Sequence, residues 1–149
     1  MEEFLYFLKK NGVNVEFIET SSSKTVEESS KYAPIDLIVK TLIFIDSNNN
    51  PFALILLGKD KADFKKIKKF LNVKDVRLAN DEEVLNYSGF TIGAVVPIFF
   101  KKINTVLLDK KVLEKEYVYS GGGKENLLMK ISVKDIVRLT NCKIGDFSK

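Results

Sequence analysis

A chain of 149 residues, 45% of them hydrophobic, is long enough for one domain with a real apolar core, and eleven Phe and five Tyr supply its largest groups. With no histidine and one cysteine, Cys142, it has no means to form an internal disulfide, a Ser-His or Cys-His nucleophile pair, or a zinc site of the usual nitrogen and sulfur ligands. Its net charge of +4 rests on 24 Lys and Arg, of which only Arg77 and Arg138 are arginine; this fits loose attraction to phosphate better than forked recognition of it.

The elements are taken in chain order. Phe4, Leu5 and Leu8 recur at helical spacing across Glu2 to Lys10, and Gly12 follows where a helix would end. Val13, Val15 and Phe17 then alternate as in a strand. Thr25 to Glu28 is a T-x-x-E capping box that predicts a short helix stopped by Pro34. Leu37 to Asp46 and Phe52 to Leu57 flank Ser47-Asn48-Asn49-Asn50-Pro51, a run of turn formers, so the pair predicts a β-hairpin. Between Lys59 and Lys69, Phe64 and Ile67, with Leu71 beyond, mark the apolar side of a helix whose lysines fall on a solvated face.

A short strand is expected at Val76 to Leu78, then a helix capped by Asn80 to Glu83 and ending near Gly89. Thr105 to Leu108, Tyr117 to Ser120 and Leu127 to Ile131 read as strands. Ser132, with Asp135 three residues on, opens a last helix through Leu139. Strands joined both by a hairpin and by helices imply an α+β fold with a mixed sheet, in one domain over residues 1–149. No apolar run approaches the ~18 residues of a membrane span. The acidic start Met1-Glu2-Glu3 is unlike a signal peptide, and a lone cysteine suits a reducing compartment. A soluble, cytoplasmic protein is expected, with no cofactor or metal and with neither membrane nor DNA as partner.

Three features conflict with their surroundings. Ile38-Val39-Lys40-Thr41-Leu42-Ile43-Phe44-Ile45 sets one lysine inside a run that otherwise reads as a buried strand. Its ammonium is costly to desolvate, so Lys40 either reaches back to water from an edge strand or performs a task in a pocket. Ser120-Gly121-Gly122-Gly123-Lys124 is not a Walker A loop, because Glu125 stands where that motif needs Ser or Thr. It reads equally as a flexible hairpin turn or as backbone that lets a ligand approach and offers N–H donors. Gly89-Phe90-Thr91-Ile92-Gly93-Ala94-Val95-Val96-Pro97 is the third.

In this order, Lys40-Thr41-Leu42, Val76-Arg77-Leu78-Ala79 before an acidic helix, Gly89-Phe90 leading to Gly93-x-x-x-Pro97, and Ser120-Gly121-Gly122 resemble the YbaK family. These are free-standing relatives of the editing domain inserted into bacterial prolyl-tRNA synthetase. The resemblance runs from about Phe4 to about Asp146. It implies a curled, barrel-like mixed sheet surrounded by helices. It also implies hydrolysis of the ester that joins a wrong amino acid to a tRNA 3′ end, alanine or cysteine on tRNA-Pro being typical. The 3′ end of an aminoacyl-tRNA is then the expected partner, and a prolyl-tRNA synthetase a second candidate.

Carried onto this chain, the resemblance makes Lys40 the catalytic lysine, neutralising phosphate or polarising the ester carbonyl. Amides of Gly93 and Ala94 become donors to that carbonyl, and Ser120 and Gly121 the opposite wall. Thr20, Thr41, Pro97 and Gly122 complete the expected binding set. Water or the substrate's vicinal hydroxyl is the expected attacking group, the protein mainly positioning and desolvating. The family's Gly-Gly-x-Ser-Pro is here Gly93-Ala94-Val95-Val96-Pro97, which loses a glycine and a hydroxyl. Thr20 stands where some members have an aromatic residue, and Leu128 near an acid that binds the substrate's amino group. The alternative is a tRNA- or synthetase-binding module without catalysis. In the family setting Lys40 is expected to point into a pocket walled by the two glycine loops.

Overall fold

The computed structural model describes residues 1–149. The first helix, α1 (Glu2–Lys10), has acids in its first turn and Lys9 and Lys10 in its last, which complements the helix dipole, and it buries Phe4 and Leu8. The expected strand from Val13 begins only at Glu16, as β1 (Glu16–Glu19). The N–H groups of Gly12 and Val13 fold back onto the carbonyls of Lys9 and Leu8, so this stretch closes the helix end before any ladder can form. Gly12 takes the φ of +64° that this reversal needs.

The Thr25 capping box is present at the start of α2 (Val26–Ser29): Thr25 Oγ1 accepts from the Glu28 N–H, and Glu28 Oε1 accepts from the Thr25 N–H, both at 3.1 Å. The helix stops at Ser29, short of Pro34, as the Lys31 and Tyr32 N–H groups switch to the i−3 carbonyls of Glu28 and Ser29. Pro34 instead opens a single 3₁₀ turn over Ile35–Leu37.

The other elements follow the expected order: β2 (Val39–Asp46), β3 (Pro51–Leu57), α3 (Phe64–Leu71), β4 (Val76–Leu78), α4 (Asp81–Ser88), β5 (Thr105–Asp109), β6 (Tyr117–Gly121), β7 (Leu127–Ser132) and α5 (Val133–Thr140), with β8 (Lys143–Gly145) last. A five-stranded sheet has the order β4-β2-β3-β5-β8, antiparallel from β4 to β3 and parallel from β3 to β8. A three-stranded antiparallel sheet has the order β1-β7-β6. The two meet at one parallel bridge, Ile38 to Tyr119. The result is a curled mixed arrangement with helices around it, not a closed barrel.

β3 is buried on both faces, and its alternation divides the core. Ala53, Ile55 and Leu57 face a cluster of 23 buried residues that takes in Phe4, Val96, Ile98, Val118 and Ile136. Phe52, Leu54 and Leu56 face a smaller cluster with Phe44, Ile67, Leu107 and Phe147. The rings of Phe44 and Phe52 stack across the hairpin at 5.1 Å. α3 covers this second cluster with Ile67, while Lys65 and Lys69 are exposed, as expected of a solvated face.

Phe147 is fully buried, its ring edge-on to Phe70 at 4.9 Å and its N–H donated to Asp109 Oδ2 at 2.9 Å. It seals the smaller cluster, so Phe147→Ala is expected to lower the unfolding free energy by about 3–5 kcal/mol, measured as a shift of the urea midpoint at constant slope. On the surface, Arg77 grips Glu83 through two bonds of 2.8 and 3.0 Å, and chiefly this fork holds the Glu83 carboxyl down at about 2. Because the folded pKa lies below the ordinary 4.5, the contribution is complete above that value and is lost as pH falls toward 2. Glu83→Gln is expected to flatten that part of the acid-unfolding curve.

Candidate functional site

The site begins with an interruption in strand pairing. Along its inner edge β2 pairs with β3 without a break from Val39 to Ile45. Its outer edge pairs with β4 only at Phe44 to Asp46, and meets β6 only through Ile38. Backbone groups of alternate residues point to opposite edges. The Ile38 carbonyl accepts from Gly58 on the β3 side, whereas the Ile43 carbonyl accepts from Ala79 on the outer side at 2.9 Å. Thr41, two residues from Ile43, therefore presents its N–H and C=O to the gap.

A cavity of about 370 Å³ lies against this gap, and Lys40, Thr41, Gly93, Ser120 and Gly121 all line it. Because it runs along a strand edge, residues from both faces of β2 reach it: Val39, Thr41 and Ile43 from one, Lys40 and Leu42 from the other.

Lys40 is half-buried and takes part in none of the ion pairs of the structure. Burial pushes its pKa below the ordinary lysine value; Asp60 opposes that shift and Lys61 adds to it. Asp60 is itself bonded to Lys111 at 3.3 Å. Next to Lys40, the Thr41 Oγ1 is buried with no hydrogen-bond partner. An orphan hydroxyl costs about 1–3 kcal/mol, and at the wall of a cavity it is free to bond a ligand.

The two glycine loops hold each other. Gly123 donates its N–H to the Ala94 carbonyl at 2.9 Å, and a Cβ on Gly121 would lie 2.5 Å from the Val95 carbonyl oxygen. Gly93 has φ +85°, and a Cβ there would run into the side chain and backbone of Lys24. The tract after β6 is thus both a hairpin connection and a surface of close backbone approach, and the two readings left open by the residues describe the same geometry. Ser120 is buried, and its hydroxyl donates to the Gly121 carbonyl at 2.9 Å, which leaves its lone pairs available.

Four residues of the expected set lie off the cavity wall. The Ala94 N–H is donated to the Thr91 carbonyl at 3.0 Å, so it is no free donor; the Gly93 N–H has no acceptor within the protein. Pro97 is buried behind the loop, between the core residues Val96 and Ile98. Gly122 is buried and bonded to Leu127. Thr20 donates its hydroxyl to Ser23 Oγ at 3.0 Å and so supports a residue that does line the cavity. Sequence reasoning missed Ser23, Lys24 and Ser29 as wall residues, and read Thr25 only as a helix cap. The cap was the one signal that this segment is held in a defined shape.

The aminoacyl-tRNA editing domain model matches residues 20–139. The proline–tRNA ligase of Streptococcus pyogenes serotype M1 is 26% identical over 114 residues, which is 75% of this chain and 18% of the ligase. The chain thus spans less than a fifth of the length of this curated relative. A crystal structure of a hypothetical protein superposes with a TM-score of 0.89 at 27% identity, covering 98% of this chain and 99% of that one. A candidate trans-editing enzyme for prolyl tRNA synthetase superposes with a TM-score of 0.88 at 25% identity, covering 99% and 96%. With four-fifths of its length inside the editing-domain model and its fold matched end to end, this chain belongs to the aminoacyl-tRNA editing domain family.

Proposed function

We propose that this chain is a trans-acting hydrolase that removes a wrong amino acid, alanine or cysteine, from tRNA-Pro by cleaving the ester at the 3′-terminal ribose. The observation that supports it most is the unpaired, half-buried Lys40 ammonium in a cavity bounded by glycine backbone. Its 370 Å³ falls within the ~300–1,000 Å³ range of small-ligand sites, and its walls are largely apolar, as a small acyl group requires.

In this reading the acyl group enters between β2 and the glycine loops. Lys40 stabilises the negative charge that develops on the carbonyl oxygen, or a neighbouring phosphate. Of the two amides expected to donate, that of Gly93 is not already bonded and is the candidate donor to the same oxygen. Water, or the vicinal ribose hydroxyl, attacks the carbonyl carbon. The carbon–oxygen bond to the ribose then breaks, and the ribose oxygen takes a proton. With water the products are the free amino acid and uncharged tRNA; with the hydroxyl the acyl group first migrates and is then hydrolysed. Thr41 Oγ1, which has no partner within the protein, gains one on binding. The second reading, binding without turnover, draws on the Ala94 amide already bonded to Thr91.

Incubation with tRNA-Pro charged with alanine, cysteine or serine separates the two. Deacylation above the buffer rate is expected on at least one, and Lys40→Ala is expected to lower it by a factor of about 10² or more. Retained binding of tRNA with no deacylation of any of the three would leave only the binding module. Thr41→Val removes an orphan hydroxyl, so it is expected to hold or raise the unfolding free energy by up to about 1 kcal/mol, read from the urea midpoint, while lowering turnover. As pH rises through the depressed pKa of Lys40, below 10.5, deacylation relative to the uncatalysed rate is expected to fall because the ammonium is lost.

A further inference from the structure

The charge of the cavity wall restricts what may enter it. Two lysines, Lys24 and Lys40, line the cavity, and every other lining residue is neutral. Carboxylates lie near these elements, but none lines the cavity. Glu125 pairs with Lys24 at 3.6 Å, Asp60 is bonded to Lys111, and Glu28 accepts from the N–H and hydroxyl of Thr25. Lys61 adds to the positive field at Lys40. On the β7 side the wall is Leu128, 1% exposed, an apolar contact that offers no counter-charge. The polar oxygens left to a ligand are hydroxyls and backbone carbonyls, with Thr41 Oγ1 the one that is buried and unpartnered.

An α-ammonium group placed here would face the half-buried Lys40 ammonium, and no carboxylate lines the cavity to bind it; Glu125 balances Lys24, and Asp60 offsets Lys40 only from outside the wall. Resting on the deacylase reading, we infer that the site takes its acyl substrate with an uncharged α-substituent. An amino acid ester is bound as its free amine, and an ester carrying a hydroxyl in place of the amine is bound at least as well. The selectivity is electrostatic exclusion of the ammonium, added to whatever the apolar wall imposes by size.

The test compares L-alanyl and L-lactyl esters of the same tRNA-Pro, which differ by an amine against a hydroxyl at nearly equal volume. Single-turnover rates relative to the uncatalysed rate of each ester are measured from pH 5.5 to 8. The lactyl ester is expected to be favoured about tenfold or more at pH 5.5, and the advantage to shrink as the alanyl ammonium deprotonates. Lys24→Gln, at a side chain that is largely exposed, is expected to reduce the advantage at pH 5.5. An alanyl ester hydrolysed as well as the lactyl ester at pH 5.5 overturns the inference and leaves the deacylase reading standing. Hydrolysis of neither ester, at any pH, overturns both.

Discussion

The cost of desolvating one ammonium organises much of this molecule. Lys40 sits in a strand whose neighbours on both faces are core residues, and no carboxylate is bonded to it. Such a group persists only where water or a ligand reaches it. The interruption in pairing along the outer edge of β2 provides that access. β4 stops at the level of Phe44 and β6 touches only Ile38, so the intervening backbone and Lys40 open onto the same cavity. Had either strand been longer, the gap would have closed and the lysine would have become untenable.

The glycines serve that opening from the other side. Neither Gly93 nor Gly121 tolerates a side chain, for the same reason: each packs against backbone of a neighbouring loop. The Gly123 to Ala94 hydrogen bond ties the loops to each other, so the protein itself sets the width of the cavity. A preset width limits how much ordering a ligand must induce. Glycine backbone thus forms one wall, and the half-buried Lys40 stands on another.

Much of this was legible from residue order, because the signals were local. Capping boxes at Thr25 and Asn80 and the asparagine-rich turn each depend on chain neighbours alone. Lys40 was conspicuous because it broke a local pattern. The unread parts depend on contacts distant in sequence. β8 is three residues whose strand character comes only from lying parallel to β5, and nothing in Lys143-Ile144-Gly145 announces it. Val13 looked like a strand because alternation cannot register that its N–H is taken by the end of α1. At the site, Ser23 and Lys24 belong to a loop brought to the cavity by bonds to Glu125, over a hundred positions away. The Ala94 amide shows the converse: a family resemblance marks a loop, and a local turn decides which of its donors are free.

The unpaired stretch of β2 also bears on association between copies of the chain. An open strand edge, here Val39 to Leu42, is the kind of template on which chains add to one another as extra strands. Here the open length is about four residues, flanked by β4 and the 3₁₀ turn and roofed by the two glycine loops, with an ammonium at its centre. A charged residue at the centre of an open edge opposes such strand addition, so Lys40 bears on the edge as well as on the cavity. An apolar residue in its place would relieve the desolvation and leave an adhesive edge.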